Sequence, residues 1–183
     1  MAGRPEFSFN ERRFKDVMLY AAERLADDPT FGETKLNKIL YFADFEAFRF
    51  LGQPITGAEY QKNKYGPTAR RYPIMRDELL RRGAIEVERR LVVDHVQDTV
   101  RLHPEGVRAN MDQFSDAERE LLDRVIEDMR KHTNTEVSDE SHKKSAGWLA
   151  RDLGETIPYS SALINPEPLD AAALAGLKTK VPV

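Results

Sequence analysis

Histidines, cysteines and paired carboxylates are the usual makings of an active site, and this chain offers few of them in a usable arrangement. Its four histidines, His95, His103, His132 and His142, are scattered along the sequence, and no cysteine is present to act as nucleophile or thiolate ligand. Only His142 has polar company, with Asp139 and Ser141 beside it. A hydrolytic centre there would need a concave pocket gathering further titratable groups. The simpler reading is a histidine on the packed face of a helix start, bonded to backbone. No glycine-rich phosphate loop, Gly-x-Ser-x-Gly elbow or His-Glu-x-x-His spacing occurs. With 31 Asp and Glu among 183 residues, carboxylate pairs abound, and choosing two as acid and base would be arbitrary. The expectation is no enzyme, no cofactor and no metal.

Side chains suited to protein contact are better represented. Rigid rings and planar guanidinium groups anchor interfaces because they lose little conformational entropy on binding. The candidates are Tyr41, Phe45 and Phe48 at helical spacing, Tyr65 beside Gly66 and Pro67, Arg70, and the single tryptophan, Trp148. Each also has a structural reading. The first three can be core, Gly66-Pro67 can be a turn set by backbone geometry, and Trp148 can pack down the end of the chain.

The elements that carry these residues follow from periodicity. The run KLNKILYFADFEAFRFL after Thr34 reads as one very apolar helix, with Thr34 as N-cap and Gly52 as terminator. Leu36, Leu40, Ala43 and Ala47 form one stripe, while Tyr41, Phe45 and Phe48 share the other side with Asn37 and Asp44. Such a helix either runs through the middle of the domain, covered on both sides, or offers aromatics to a partner. Before it, Asn10 to Asp28 reads as an amphipathic helix with Asn10 as N-cap and Pro29 as stop.

After Gly52 a short strand is expected around 58–64, and Pro67 suits the first turn of a third helix, Thr68 to Arg82, with Tyr72, Met75 and Leu79 inward. Residues 84–103 alternate as a β-hairpin bent near Asp94 to Asp98. Ser115 and Glu118 form a capping box ahead of Leu121, Leu122, Val125, Ile126 and Met129. A last ordered element is expected with Ser138 as N-cap and His142, Ala146, Leu149 and Leu153 on one face. Residues 165–183 read as a tail with a short helix from Leu169.

The fold class that results is α+β, a mainly helical single domain over 1–164 with a small β-hairpin, its elements in winged-helix-like order. No run is long and apolar enough to span a bilayer and the N-terminus lacks an apolar signal core, so the expected location is the cytoplasm. Net charge is −3, yet residues 62–90 hold nine Lys/Arg against four acids and residues 111–140 ten acids against four bases. The winged-helix order raises an alternative function, a DNA-binding transcriptional regulator using Arg70, Arg71, Arg81, Arg89 and Arg90 on phosphates. Against it, Asp77 and Glu78 interrupt the arginines of that helix, which has no Asn or Gln for base edges. Nucleic acid and membrane are thus not the expected partners.

Three pieces in order, Lys35-Leu36-Asn37-Lys38-Ile39-Leu40-Tyr41, Tyr65-Gly66-Pro67, and Ser141-His142 with Trp148, resemble the Panacea (SocA-like antitoxin) domain family across about Phe14 to Ile164. One departure is Lys62-Asn63-Lys64, where the family often carries a bulkier residue before Tyr-Gly-Pro. The resemblance implies the antitoxin of a bacterial or phage toxin–antitoxin pair, neutralising a cognate protein toxin by direct binding. It also implies, for the SocA branch, a proteolytic adaptor that presents the toxin to ClpXP. No metal or cofactor is implied, and the candidate toxin-binding residues are Tyr41, Phe45, Phe48, Tyr65, Gly66, Pro67, Arg70, His142 and Trp148.

Overall fold

A helix with apolar side chains on two sides must be covered on two sides, and the second helix of the chain is. The computed structural model describes residues 7–92, 95–133, 136–139 and 145–164. In it, α1 spans Glu11–Arg24 and α2 spans Glu33–Leu51. Every residue of α2 from Lys35 to Phe45 is buried, and Ala47 as well. Leu36, Leu40, Ala43 and Ala47 are fully enclosed, and Tyr41 and Phe45 on the opposite side keep only 3% and 4% of their surface. Burying one such large apolar side chain stabilises the fold by about 1.5–3 kcal/mol, so α2 dominates the core. Its cover comes from α1, from strands and turns described below, and from the later helix α4, Asp116–Arg130.

The helix ends follow local chemistry. Asn10 caps α1 by accepting from the Arg13 amide at 3.1 Å, as expected. Gly52 closes α2 in the left-handed conformation, its N–H donating to Phe48 O at 3.1 Å. The N-terminus of α2 differs from expectation: Gly32 is the cap, without a side-chain bond, and Thr34 lies inside the first turn. The Ser115–Glu118 capping box opens α4 as anticipated, and Leu121, Leu122, Val125, Ile126 and Met129 are its buried face.

Between α2 and the third helix, the single expected strand is a hairpin. β1, Tyr60–Asn63, pairs antiparallel with β2, Gly66–Ala69, through a two-residue turn of Lys64 and Tyr65. Pro67 therefore sits opposite Lys62 in a strand and starts no helix. Its missing donor is tolerated because β2 is an edge strand, paired on one side only, with β1. The proline at a helix start is Pro73, in α3, Tyr72–Arg81, where Tyr72, Met75 and Leu79 point inward as expected. β3, Ile85–Val92, and β4, His95–Leu102, form the second hairpin. Residues 93 and 94 lie outside the described residues; from His95 to Asp98 the strand continues without a bend, with His95 opposite Val92 and Asp98 opposite Arg89.

The end of the chain closes the first sheet. β5, Thr156–Ile157, pairs with β1, and a 3-10 turn at Tyr159–Leu163 packs on α2. Thr133 and Glu136 cap each other ahead of helical residues 136–139, so Ser138 lies within that turn and not ahead of it. The expected shared face of Ala146, Leu149 and Leu153 does not form. Among the described residues the helix there is Ala146–Leu149, and Leu149 and Leu153 are 53% and 69% exposed. His142 and the tail 165–183 lie outside the described residues. A mainly helical α+β domain with small antiparallel sheets is what the chain forms. Among the described residues, no helix is long and apolar enough to cross a membrane.

Candidate protein-docking surface

The polar residues of α2 are the natural place to look for chemistry, since a buried polar group costs free energy unless it is partnered. Lys35, Lys38, Tyr41 and Asp44 are each occupied in holding another segment, while Asn37 bonds within the helix. Lys35 Nζ donates to Asp28 Oδ2 at 2.6 Å and Thr30 Oγ1 at 2.7 Å, fixing the turn before α2. Asn37 Nδ2 donates to Glu33 O at 3.0 Å, within the helix. Tyr41 OH and Ser145 Oγ are hydrogen-bonded at 2.6 Å, and burial raises the phenol's pKa.

Asp44, fully enclosed, accepts from the Thr56 amide at 2.6 Å and from the Thr56 hydroxyl. Tyr60 OH and Tyr159 OH lie 2.9 and 3.2 Å from its Oδ2. Each phenol also has a shorter carbonyl acceptor, Leu40 O at 2.8 Å and Ala58 O at 2.6 Å respectively. A phenol has one proton to give. Each phenol therefore shares its proton between the Asp44 carboxyl and a carbonyl, and desolvation raises the pKa of this carboxyl against the lowering effect of the Thr56 and tyrosine bonds.

Lys38 links the helix to the surface. Its Nζ, 2% exposed as a residue, donates to Tyr65 O at 2.6 Å and Pro67 O at 3.2 Å, with no carboxylate partner among the described residues. Desolvation alone lowers its pKa to about 7. These bonds hold the β1–β2 tip from below. From the sides, Ser138 Oγ donates to Tyr65 O at 3.1 Å, and Trp148 Nε1 donates to Asn63 O at 3.0 Å. Lys62 O accepts from the Gly154 amide at 2.9 Å.

The tip is therefore a fixed platform, and the Tyr65 side chain projects from it, 64% exposed. Lys64 Nζ lies 5.3 Å from the Tyr65 ring centroid and Lys62 Nζ 4.3 Å from that of Trp148. Arg70, at the base of the hairpin, bonds Glu59 at 2.7 Å, Gln61 at 2.5 Å and Gly154 O at 2.7 Å, bracing β1, β2 and the turn before β5.

Of the expected contact residues, Tyr65, Gly66, Pro67 and Trp148 come together at this tip, with Arg70 behind them. Gly66 and Pro67 are themselves buried and contribute backbone. Tyr41 and Phe45 are placed differently. They lie in the core, stacked at 4.1 Å between ring centroids, and cannot reach a partner because α2 is covered on that side. Phe48 is half-buried against Phe7 and Tyr159. Lys62, Lys64, Leu149 and Leu153 are not among the expected contact residues; periodicity places the two leucines on a shared packed face. The signal for the lysines was the two-residue span between Asn63 and Gly66, which is short enough for a tight hairpin.

A second concavity, of about 520 Å³, lies between the end of α2 and the start of α4, lined by Glu46, Arg49, Phe50, Leu51, Glu120 and Arg124 among others. Among the described residues, no group of three His, Asp or Glu side chains is placed to hold a metal ion. No curated protein and no solved structure matches the chain at a significant level. A family model described as "Antitoxin SocA-like, Panacea domain" matches residues 36–149, from the core of α2 through the hairpin tip to the Trp148 anchor. With more than half of its length so matched, this chain belongs to the SocA-like antitoxin, Panacea domain family.

Proposed function

We propose that this chain neutralises a cognate protein toxin by direct, stoichiometric binding, with no bond made or broken on it. One observation carries the reading beyond family membership: the motif's polar side chains, Lys35, Lys38, Tyr41 and Asp44, are all engaged in pinning other segments to α2. What they hold in place is a shaped surface, and a shaped surface is what a neutralising partner needs. In this reading the protein is no enzyme, and its effect on the toxin scales with the number of molecules present.

Charge pairing favours a protein partner over DNA. Of the arginines named for phosphates, Arg70 is tied to Glu59 at 2.7 Å and Arg89 to Asp98 at 3.1 Å, and on α3 Arg76 is likewise tied to Glu33 at 2.6 Å. Arginines so engaged have less to offer phosphates. Co-expression with the protein encoded by the adjacent reading frame tests the proposal. Growth arrest caused by that protein alone and relieved by this chain, with the two co-eluting as one complex, is expected. Relief without complex formation, or no relief, contradicts it.

A further inference from the structure

We infer that the β1–β2 tip, with Lys62, Lys64, Tyr65 and Trp148 at its centre and Leu149 and Leu153 at its edge, is the surface that seats the toxin. The toxin face it takes presents carboxylates around an apolar side chain. This rests on the toxin-neutralising reading above and adds the place and the chemistry.

Three observations carry it. The first is rigidity: four hydrogen bonds from three side chains, Lys38 of α2 and Ser138 and Trp148 after residue 132, hold the carbonyls of Asn63, Tyr65 and Pro67, so the tip is ordered before any partner arrives. Pre-ordering removes a cost that a floppy loop would meet on binding.

The second is exposed apolar area. Tyr65 is 64% exposed on the turn, Leu149 follows the Trp148 anchor, and Leu153 precedes Gly154, whose amide is bonded to Lys62 O. A tyrosine held upright with leucines near it is the composition of an interface centre.

The third is charge. Lys62 and Lys64 lie over ring faces, and neither has a carboxylate at ion-pair distance among the described residues. The carboxylates beside them in the fold are engaged elsewhere, Glu59 with Arg70 and Thr156, and Glu155 with the Asp152 amide. An ammonium group stacked on a ring keeps its stem extended and its remaining protons toward solvent, which suits an incoming carboxylate. The groove around Phe50 has no such preference: Arg124 is paired with Glu46 at 3.4 Å, and Glu120 adds a further acid to its lining.

The experiment uses the full chain and the adjacent reading frame's product, with affinity measured at two salt concentrations. Tyr65→Ser should weaken binding about tenfold or more, and Lys62→Glu with Lys64→Glu about a hundredfold. Lys64 and Tyr65 are exposed and Lys62 is half-buried on the Trp148 ring, outside the core, so the thermal midpoint should stay near that of the parent chain. Lys62→Gln with Lys64→Gln serves as the milder pair, and should remove most of the salt dependence of binding. Phe50→Ser should bind as the parent does. Unchanged affinity in the tip variants, or loss confined to Phe50→Ser, overturns the placement while leaving the neutralising role intact. No binding by the parent chain overturns both. A tip charge reversal that abolishes a DNA gel shift and leaves toxin binding untouched also overturns it.

Discussion

At the scale of single residues, two buried ionisable groups set how stability responds to pH. Burial holds the pKa of Lys38 at about 7, below its usual 10.5, so the folded state disfavours the charged form. Below about 7 both states carry the proton and the full penalty applies. Between about 7 and 10.5 the unfolded chain binds the proton and the folded chain does not, so stability rises with pH there. Relative to Lys38→Met, the parent chain should gain about 2 kcal/mol from pH 7.5 to 9 in urea unfolding. An identical pH slope in the two proteins would contradict this.

Asp44 has the opposite sign. Its raised pKa favours the neutral acid in the fold. That contribution is complete below the unfolded carboxyl pKa and is lost as pH rises through the folded one. Asp44→Asn, neutral at every pH, should flatten this loss, whereas Asp44→Ala should cost about 2–4 kcal/mol by stranding the Thr56 donors. Chemical denaturation from pH 4 to 8 compares the three.

At the scale of elements, local signals were legible and non-local ones were not. The capping box of α4 and the doubly apolar α2 rest on spacings within one element, and both stand as expected. The β1–β2 hairpin was hidden because Pro67 fits a helix start as well as an edge strand. What decides between them is the pairing of β2 with β1, and β1 is paired on its other side with β5, nearly a hundred residues on. The same holds for the candidate site. Tyr65, Gly66, Pro67 and Trp148 were visible as residue types, but which rings are enclosed depends on what covers α2. The Trp148 segment and β5 are joined at Gly147, where an added Cβ would stand 2.6 Å from Ile157 Cγ2 and closer still to Ser161 Oγ. Gly147→Ala should therefore destabilise the domain by about 1–3 kcal/mol, read by thermal unfolding. Ser115→Ala, which removes one half of the capping box, should cost about 1 kcal/mol by the same measurement.

At the scale of the whole molecule, α2 is a spine whose polar side chains hold the loops that reach the surface, and the best-held of these is the tip carrying Tyr65. Under the proposed function such a body acts by occupying a partner, and its potency is then set by molecule count. The most direct measurement is a titration of the partner toxin's activity against the purified chain. The account predicts a linear fall that reaches zero at a fixed molar ratio near one and stays unchanged with longer incubation. Progressive loss of toxin activity at a small fraction of that ratio would mean turnover, and would contradict it.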